Sequence, residues 1–215
     1  MRYLLNNPEI VLRLLSQHIQ VTLAALAVAA LIALPLGWLL HHRRRLAGPV
    51  LGILGVIYTI PSIALIIFLI PLFGLNARAV IAALVLYCQV VLVRNTLAGL
   101  ASIDPSIAEV ARGMGMNGWQ AAWRVEFPLA LPVILAGVRL AAVISVAITT
   151  VGAKFGAGGL GVLLFDGIAQ NRMDKIWLGG VLVGLLALAT SFGVQRIERR
   201  FTPQLHQGQP IRTAR

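Results

Sequence analysis

The chain has 215 residues, of which 59% are hydrophobic and 12% charged, with a mean hydropathy of +0.88 and a formal net charge of +11. Soluble domains are closer to half apolar and a quarter charged, so this composition excludes an ordinary soluble domain and predicts an integral membrane protein. The single cysteine, Cys88, excludes a disulfide or a cysteine-based metal site within one chain. We expect Cys88 to be a small buried residue.

Five apolar stretches are long enough to cross a bilayer as helices, for which about 20 residues suffice. They cover residues 19–40, 50–73, 79–97, 129–151 and 176–195. The predicted fold class is therefore an all-α membrane protein with five transmembrane helices, in a membrane domain of residues 19–197. Residues 1–18 would form a separate amphipathic helix on the outer surface, with Leu12, Leu15 and Ile19 on its packing face. Residues 198–215 would form a cytoplasmic tail that is disordered after Phe201.

Prolines interrupt the apolar stretches at Pro35, Pro61 and Pro71. A proline removes a helical hydrogen bond, and in a membrane neighbouring helices must satisfy the carbonyl it frees, which favours a packed bundle. Tyr58, Pro61 and Ser62 lie mid-span at a predicted irregularity. Broken helices near the midplane often border transport pathways, which makes these three residues candidates for a pathway or gate. A simple packing kink is the alternative.

Basic residues predict the orientation. With five spans the termini lie on opposite sides, and eleven of the 18 Lys and Arg residues fall on the C-terminal side, six on the other, and Arg139 within the fourth span. The richer side should be cytoplasmic, which puts the N-terminus outside. This topology explains much of the net charge, so we expect no nucleic-acid partner. For Arg139 we favour a structural role, pairing with backbone carbonyls or with Gln89, over a role in transport.

The longest predicted cytoplasmic loop covers residues 98–127. Together with Arg94 it holds six charged side chains, which are Arg94, Asp104, Glu109, Arg112, Arg124 and Glu126. Burying six charges mid-membrane would cost on the order of 15–20 kcal/mol on insertion scales. The loop must therefore lie in water or against another protein.

The first half of this loop has the pattern of a capped helix. Asp104 and Pro105 form an N-cap and first-turn pair. The helix that follows has an apolar stripe with helical spacing, formed by Ile107, Val110, Ala111 and Met114. Gly115 can end it with a left-handed residue.

The second half predicts another short helix at an angle to the first. Asn117 and Gln120 have capping-box spacing, Trp119 and Trp123 form an i, i+4 pair, and Pro128 would mark the change to the fourth span. One interpretation is a hairpin that only covers the bundle. The other is a docking element for a cytoplasmic partner, because Trp and Arg are favoured as interface anchors.

At these residues the chain resembles the permeases of binding-protein-dependent ABC importers. Their cytoplasmic motif is Glu-Ala-Ala, three residues, Gly, nine residues, then an aliphatic residue, any residue, Leu and Pro. Here Glu109 and Ala111 flank Val110, Gly115 follows at the motif's spacing, and nine residues separate Gly115 from the Val-Glu-Phe-Pro run that ends at Pro128. The departures replace one apolar residue by another.

The resemblance implies a type I importer fold and a set of partners. The loop would form a coupling element shaped by Glu109, Ala111, Gly115 and Pro128, with Trp119 and Trp123 beside them, seated in a cytoplasmic ATPase dimer. ATP and Mg would be bound by that ATPase, and this chain would hold no cofactor and perform no chemistry. A second permease, identical or related, an extracytoplasmic binding protein and membrane lipid would complete the assembly in the bacterial inner membrane.

Two further stretches, YTIPSIALIIFLIPLFGLNARAVIAALVLY and GAGGLGVLLFDGIAQNR, resemble importers of osmoprotectants such as glycine betaine, choline, carnitine or proline betaine. FPLALPVILAGVRLA fits this group and the methionine-type importers alike, so a methionine or amino-acid importer stays open. From a different class, a self-sufficient secondary transporter or channel, or a scaffold without transport, also stays open.

The remaining sequence patterns do not indicate a binding site. GAGGLG, residues 156–161, satisfies G-x-G-x-x-G, but a dinucleotide site needs a preceding strand and a following helix, and we expect a tight or re-entrant outer loop. His41 and His42 should lie in a solvated turn beside Arg43, His18 and His206 are isolated, and no metal-ligand spacing appears.

Overall fold

The computed structural model describes residues 2–201, apart from the side chains at positions 2, 108 and 112, and that range is helical and without strands. The predicted tail beyond residue 201 lies outside the described residues. A π-helical turn (Ala122–Glu126) precedes the helix that begins at Phe127, and a 3-10 turn (Ala153–Phe155) follows it. The α-helices are α1 (Arg2–Asn6), α2 (Pro8–His42), α3 (Arg44–Thr59), α4 (Ser62–Phe73), α5 (Ala77–Ala101), α6 (Pro105–Gly113), α7 (Gly118–Ala121), α8 (Phe127–Gly152), α9 (Gly161–Ala169) and α10 (Met173–Phe201).

Four segments are individually long and apolar enough to span a membrane: α2, α5, the continuous stretch from α7 through α8, and α10. The bent pair α3 and α4 supplies a fifth if it is counted as one span. The all-α membrane class is thereby confirmed. The predicted spans 79–97, 129–151 and 176–195 lie within α5, α8 and α10, each of which extends beyond them.

The N-terminal prediction was wrong in its boundary and in its packing face. The short helix α1 ends at Asn6, and α2 then runs without a break from Pro8, which occupies its first turn, past residue 19 to His42. The buried positions on its first turns are Val11, Leu14 and His18, whereas Leu12 is exposed. Val11 and Leu14 pack against residues of α9 and α10, and this packing holds the early turns of α2 to the bundle.

The second predicted span, residues 50–73, is not one helix. It is divided between α3 and α4, which meet at 98°. Ile60 adopts an extended conformation with ψ of 127°, as expected of a residue before proline, because the ring of Pro61 disfavours the helical conformation there. The predicted irregularity is therefore a sharp break.

The bundle is built around α5. Of the residues in its apolar stretch, 61% are buried within the chain, against 11% for α10. Helix α5 supplies nine of the 20 buried residues in the two largest apolar clusters, more than any other helix. Helices α5 and α8 approach closely at Gly137, where an added Cβ would lie 2.5 Å from the Cβ of Asn95. Small residues at such crossings are typical of membrane bundles, because they let the backbones come into contact.

Polar side chains inside the bundle mostly bond to neighbouring helices. Cys88 is buried, as predicted, with its Sγ 3.3 Å from the Oγ of Ser145. The suggested pairing of Arg139 with Gln89 was wrong. The Gln89 amide donates to the carbonyl of Ala29 on α2 at 3.2 Å. Arg139 instead lies against α10, with its Nη1 3.5 Å from Oε2 of Glu198, because Gln89 on α5 faces α2 whereas Arg139 on α8 faces α10.

The glycine-rich loop between α8 and α9 is fastened to α2. The Gln17 side chain accepts a bond from the Gly159 amide at 3.2 Å, and His18 Nδ1 accepts from the Leu160 amide at 3.2 Å. His18 Nε2 lies 3.1 Å from the Val146 carbonyl. A neutral imidazole protonated on Nε2 satisfies both of its contacts. Residues 156–161 thus form a tight loop, and no strand precedes them in the described part of the chain.

Candidate functional site

The segment that joins α5 to α8, residues 102–126, is called the connecting segment below. It begins with the predicted cap, since Asp104 Oδ1 accepts from the Ser106 amide at 2.8 Å. This hydrogen bond stabilises the carboxylate and lowers the pKa of Asp104 below its ordinary value. The cap fixes where α6 starts, with Pro105 as its first residue.

Gly115 ends the first helical part with a left-handed turn, as predicted. Its φ is +79°, and the Met116 amide donates to the carbonyl of Ala111 at 3.2 Å. A Cβ added at Gly115 would meet nothing within 4 Å. The requirement for glycine is thus a matter of backbone conformation and not of space, because other L-residues are strained at this φ.

Helix α6 buries much less of its apolar stripe than a core helix would. Ala111 is 3% exposed, but Val110 is 62% and Met114 71% exposed, and Ile107 is also exposed. Of the four residues of the predicted stripe, Ala111 is buried and the other three are exposed. Among the described side chains of α6, Ala111 is the buried one, and Glu109 is exposed beside Val110. The result is an apolar surface with one carboxylate that the described chain leaves uncovered.

The predicted capping box at the start of α7 is present. The Gln120 amide donates to Asn117 Oδ1 at 2.9 Å, and the Asn117 amide donates to Gln120 Oε1 at 3.0 Å. Trp119 and Trp123 stack edge to face, with ring centroids 5.5 Å apart. Both rings are more than half exposed.

The change to the fourth span differs from the prediction at Pro128. The chain does not turn there, because α7 continues through the π-helical turn into α8 as one stretch from Gly118 to Phe155. The Phe127 amide bonds to the Ala122 carbonyl, five residues back. This wider turn accommodates Pro128, which has no amide hydrogen and whose ring would clash with a carbonyl in a regular helix. The two helical parts are α6 and an extension of α8.

One link between the connecting segment and α2 was missed by sequence reasoning. The Trp38 indole donates to Glu126 Oε2 at 3.1 Å, and His42 Nε2 lies 3.9 Å from Glu126 Oε1. Glu126 is 14% exposed, so this carboxylate is largely removed from water. Two features of the sequence could have indicated this link. Trp38 and His42 form an i, i+4 pair at the end of one apolar stretch, and the carboxylate of Glu126 stands at the start of another.

The second group of candidates lies at the break between α3 and α4. Tyr87 of α5 donates its hydroxyl to the carbonyl of Ile60, which the break leaves without a helical partner. The ring of Tyr58 packs edge to face on Tyr87 at 5.5 Å and is 42% exposed. Pro61 is exposed and Ser62 partly so. The structure therefore brings Tyr58, Pro61 and Ser62 together, and adds Tyr87 to them.

The connecting segment and the helix break are separate sites, and neither has metal ligands. Within residues 2–201, no cluster of three or more His, Cys, Asp or Glu side chains could hold a metal ion. The chemistry available at both places is that of docking surfaces and aromatic rings.

The sequence profile of one family, described as "binding-protein-dependent transport system inner membrane component", matches residues 17–205. The chain is 38% identical over 207 residues to the osmoprotectant import permease protein OsmW of Salmonella typhimurium, covering 94% of this chain and 96% of that protein. It is 38% identical over 188 residues to the carnitine transport permease protein OpuCB of Listeria monocytogenes, covering 87% and 86%. It is also 33% identical over 208 residues to a glycine betaine/carnitine/choline transport system permease protein of Bacillus subtilis, covering 97% and 96%.

Among solved structures, a chain of the MetNI methionine ABC transporter in an inward-facing conformation is similar to the present fold. The TM-score is 0.82 at 24% identity, over 90% of this chain and 96% of that one. At this identity the likeness concerns the fold alone.

Proposed function

Since the chain belongs to the binding-protein-dependent transport system inner membrane components, and is a multi-pass protein of the bacterial inner membrane, we propose that it is the permease subunit of an ATP-driven importer for osmoprotectants. The substrates would be quaternary ammonium compounds such as carnitine, choline or glycine betaine. The observation that carries this substrate class is the identity of 33–38%, over 87–97% of the chain, to permeases whose names give osmoprotectants, carnitine, choline or glycine betaine. ATP and Mg would be bound by a separate ATPase, and transport would need no cofactor in this chain.

The uncovered surface of α6 is our assignment for the ATPase contact. Ala111 fixes the helix to its own chain, while Glu109, Val110 and Met114 point away from it. Exposed apolar residues grouped around a charge are typical of a docking patch. Gly115 would set the angle at which α6 leaves the rest of the connecting segment. Movement of the ATPase would then pass through Ala111 and through the continuous helix of α7 and α8.

Trp119 and Trp123 would support this element from the other side. Their rings line a groove beside α2. In the proposal they steady the segment, together with Pro128 in the first turn of α8, and do not form the main ATPase contact.

A second permease subunit has a suitable surface on α10. The exposed apolar side chains of this helix follow a spacing of four, four, three and four residues, which keeps them on one face. They are Trp177, Val181, Leu185, Leu188 and Phe192. Because α10 is also the least buried of the four segments that are individually long enough to span a membrane, we propose that this face contacts a second copy or a related permease.

The break between α3 and α4 is our proposal for part of the substrate pathway. Tyr58 offers an exposed aromatic ring, and a ring face attracts a quaternary ammonium ion by about 0.5–2 kcal/mol. That attraction is weak enough for release, as transport requires. Pro61 keeps the break, Ser62 begins α4, and Tyr87 holds the freed carbonyl.

The orientation follows the charge distribution along the chain. The end with residues 43–45, the connecting segment and the end of α10 would face the cytoplasm, and the end with the glycine-rich loop would face the binding protein. The binding protein would supply most of the substrate selectivity.

The experiment is reconstitution. The chain is placed in proteoliposomes with candidate ATPases and binding proteins of osmoprotectant importers, and uptake of labelled carnitine, choline, glycine betaine and methionine is measured with and without ATP. We expect ATP-dependent uptake of one or more quaternary ammonium compounds. Uptake of methionine in preference to them would favour the amino-acid importers, and ATP-independent uptake by the chain alone would favour a secondary transporter or channel. Recruitment of an ATPase without any uptake would favour a scaffold.

A further inference from the structure

An apolar groove of about 590 Å³ lies between α2 and the connecting segment. One wall is the stretch of α2 from Ala27 to Leu39, and the other consists of Trp119, Trp123 and Phe127, with Trp38 at the same end. The groove opens on the side of α2 that faces away from the bundle, where Leu31 is 75% exposed. Nothing in the coupling or pathway proposals uses this groove.

The dimensions of the groove match one leaflet of a bilayer. From Ala27 to Leu39 the helix rises twelve residues, or about 18 Å at 1.5 Å per residue. Half of a hydrocarbon core is about 15 Å. The aromatic rings lie at the end nearer to His42, where α2 finishes. Aromatic rings at the hydrocarbon boundary are typical of membrane interfaces, so this end marks the membrane surface.

Basic side chains adjoin that same end along the chain. Arg43, Arg44 and Arg45 follow directly after α2, and Arg124 adjoins Trp123 on the π-helical turn, and all four are exposed. The one acidic group nearby, Glu126, is largely buried and already bonded to Trp38. An apolar channel one leaflet long therefore ends in a positively charged rim.

We propose that this groove binds one acyl chain of an anionic phospholipid, whose phosphate lies between Arg124 and the arginines after α2. The bound lipid would fill the space between α2 and the connecting segment and hold the latter at the membrane surface. A second copy of this chain is a less suitable occupant, because α10 offers it a longer continuous apolar face. The proposal rests on insertion of the chain in a membrane and not on its substrate or its ATPase.

The test uses the four tryptophans of the chain. Trp177 on α10 is far along the sequence from the groove and is replaced in a Trp177→Phe background, which leaves Trp38, Trp119 and Trp123 to report. The full chain is purified in mixed micelles, and tryptophan quenching is titrated with phosphatidylglycerol or phosphatidylcholine brominated at mid-chain. We expect saturable quenching, with a clear preference for phosphatidylglycerol that weakens as salt is raised.

Two pairs of variants separate the acyl-chain site from the phosphate site. Ala27→Phe fills the groove and should abolish saturable quenching by both lipids, whereas Ala24→Phe, also at an exposed position of α2 but not lining the groove, should not. Arg124→Gln should reduce the preference for phosphatidylglycerol about fivefold, the effect of one basic side chain near an anionic surface. Arg196→Gln on α10 should leave it unchanged.

Three results would overturn the proposal. Equal quenching by the two lipids would contradict selectivity for an anionic headgroup. Quenching unaffected by Ala27→Phe would show that the acyl chain does not bind in the groove. Disulfide formation between two chains carrying Trp119→Cys, in native membranes, would assign the groove to a second copy. Because all of these measurements use the permease alone, failure of the importer proposal would leave them unaffected.

Discussion

Gly115 is the residue whose replacement most directly tests the geometry of the connecting segment. Its φ of +79° lies in the left-handed region, and a Cβ there would meet nothing within 4 Å. Gly115→Ala therefore adds backbone strain and no clash. Gly113 provides the matched control, because it lies in α6 with equally open space around it and no positive φ.

The left-handed conformation costs an L-residue about 1–2 kcal/mol. If the whole of that strain opposes the docked geometry of α6, the affinity for the ATPase should fall about 5- to 30-fold in Gly115→Ala. Gly115→Asn should recover part of the loss, since asparagine tolerates this region better than alanine does. Gly113→Ala should be neutral or slightly favourable, because alanine is the better helix former.

The measurement is titration of the reconstituted permease with its ATPase, read as transport-coupled ATP hydrolysis. The factor by which the affinity for the ATPase falls is compared across the three variants, at equal amounts of inserted protein. Equal behaviour of Gly115→Ala and Gly113→Ala would refute the claim that the left-handed turn sets the docking angle. So would a loss in Gly115→Asn as large as that in Gly115→Ala.

Three further changes test the packing around the sites. Gly137→Ala should overpack the crossing of α5 and α8 and destabilise the fold by about 1–3 kcal/mol, measured as a lower melting temperature in detergent. Gly184→Ala, at a position with open space around it, should leave the melting temperature unchanged, and equal melting temperatures of the two variants would contradict the close approach of α5 and α8. His18→Ala should remove two hydrogen bonds at about 0.5–1.5 kcal/mol each and speed amide exchange in the loop it holds, whereas unchanged exchange would show that the loop holds itself. Trp38→Phe should remove the hydrogen bond to Glu126, worth about 1.5–3 kcal/mol because the acceptor is charged, and should speed amide exchange in the π-helical turn. Amide protection equal to that of the native chain would show that this hydrogen bond does not stabilise the turn.

Local signals were sufficient to predict much of the connecting segment. The cap at Asp104, the left-handed Gly115 and the capping box at Asn117 each depend on residues within three or four positions of one another. Such features follow from side-chain chemistry that acts within one turn. The tryptophan pair is predictable for the same reason, since residues four apart share a helix face.

Features that depend on contacts distant in sequence were not predictable in the same way. The pairing of Arg139 with Glu198 and the fastening of residues 156–160 by His18 require knowledge of which helices are neighbours. The exposed stripe of α6 has a related cause. Its periodicity correctly indicated a helix, but periodicity alone does not tell whether an apolar face packs on its own chain or on another protein.

The measurement that tests the central claim most directly is site-specific photo-crosslinking to the ATPase. A photoreactive residue is placed at Val110 on the exposed face of α6, at Met114 one turn further, and at Trp119 beside the groove, in the assembled complex. We expect efficient crosslinks to the ATPase from Val110 and Met114 and few from Trp119. Crosslinks from Trp119 without any from Val110 or Met114 would contradict this expectation, and would assign the motor contact to the opposite side of the connecting segment.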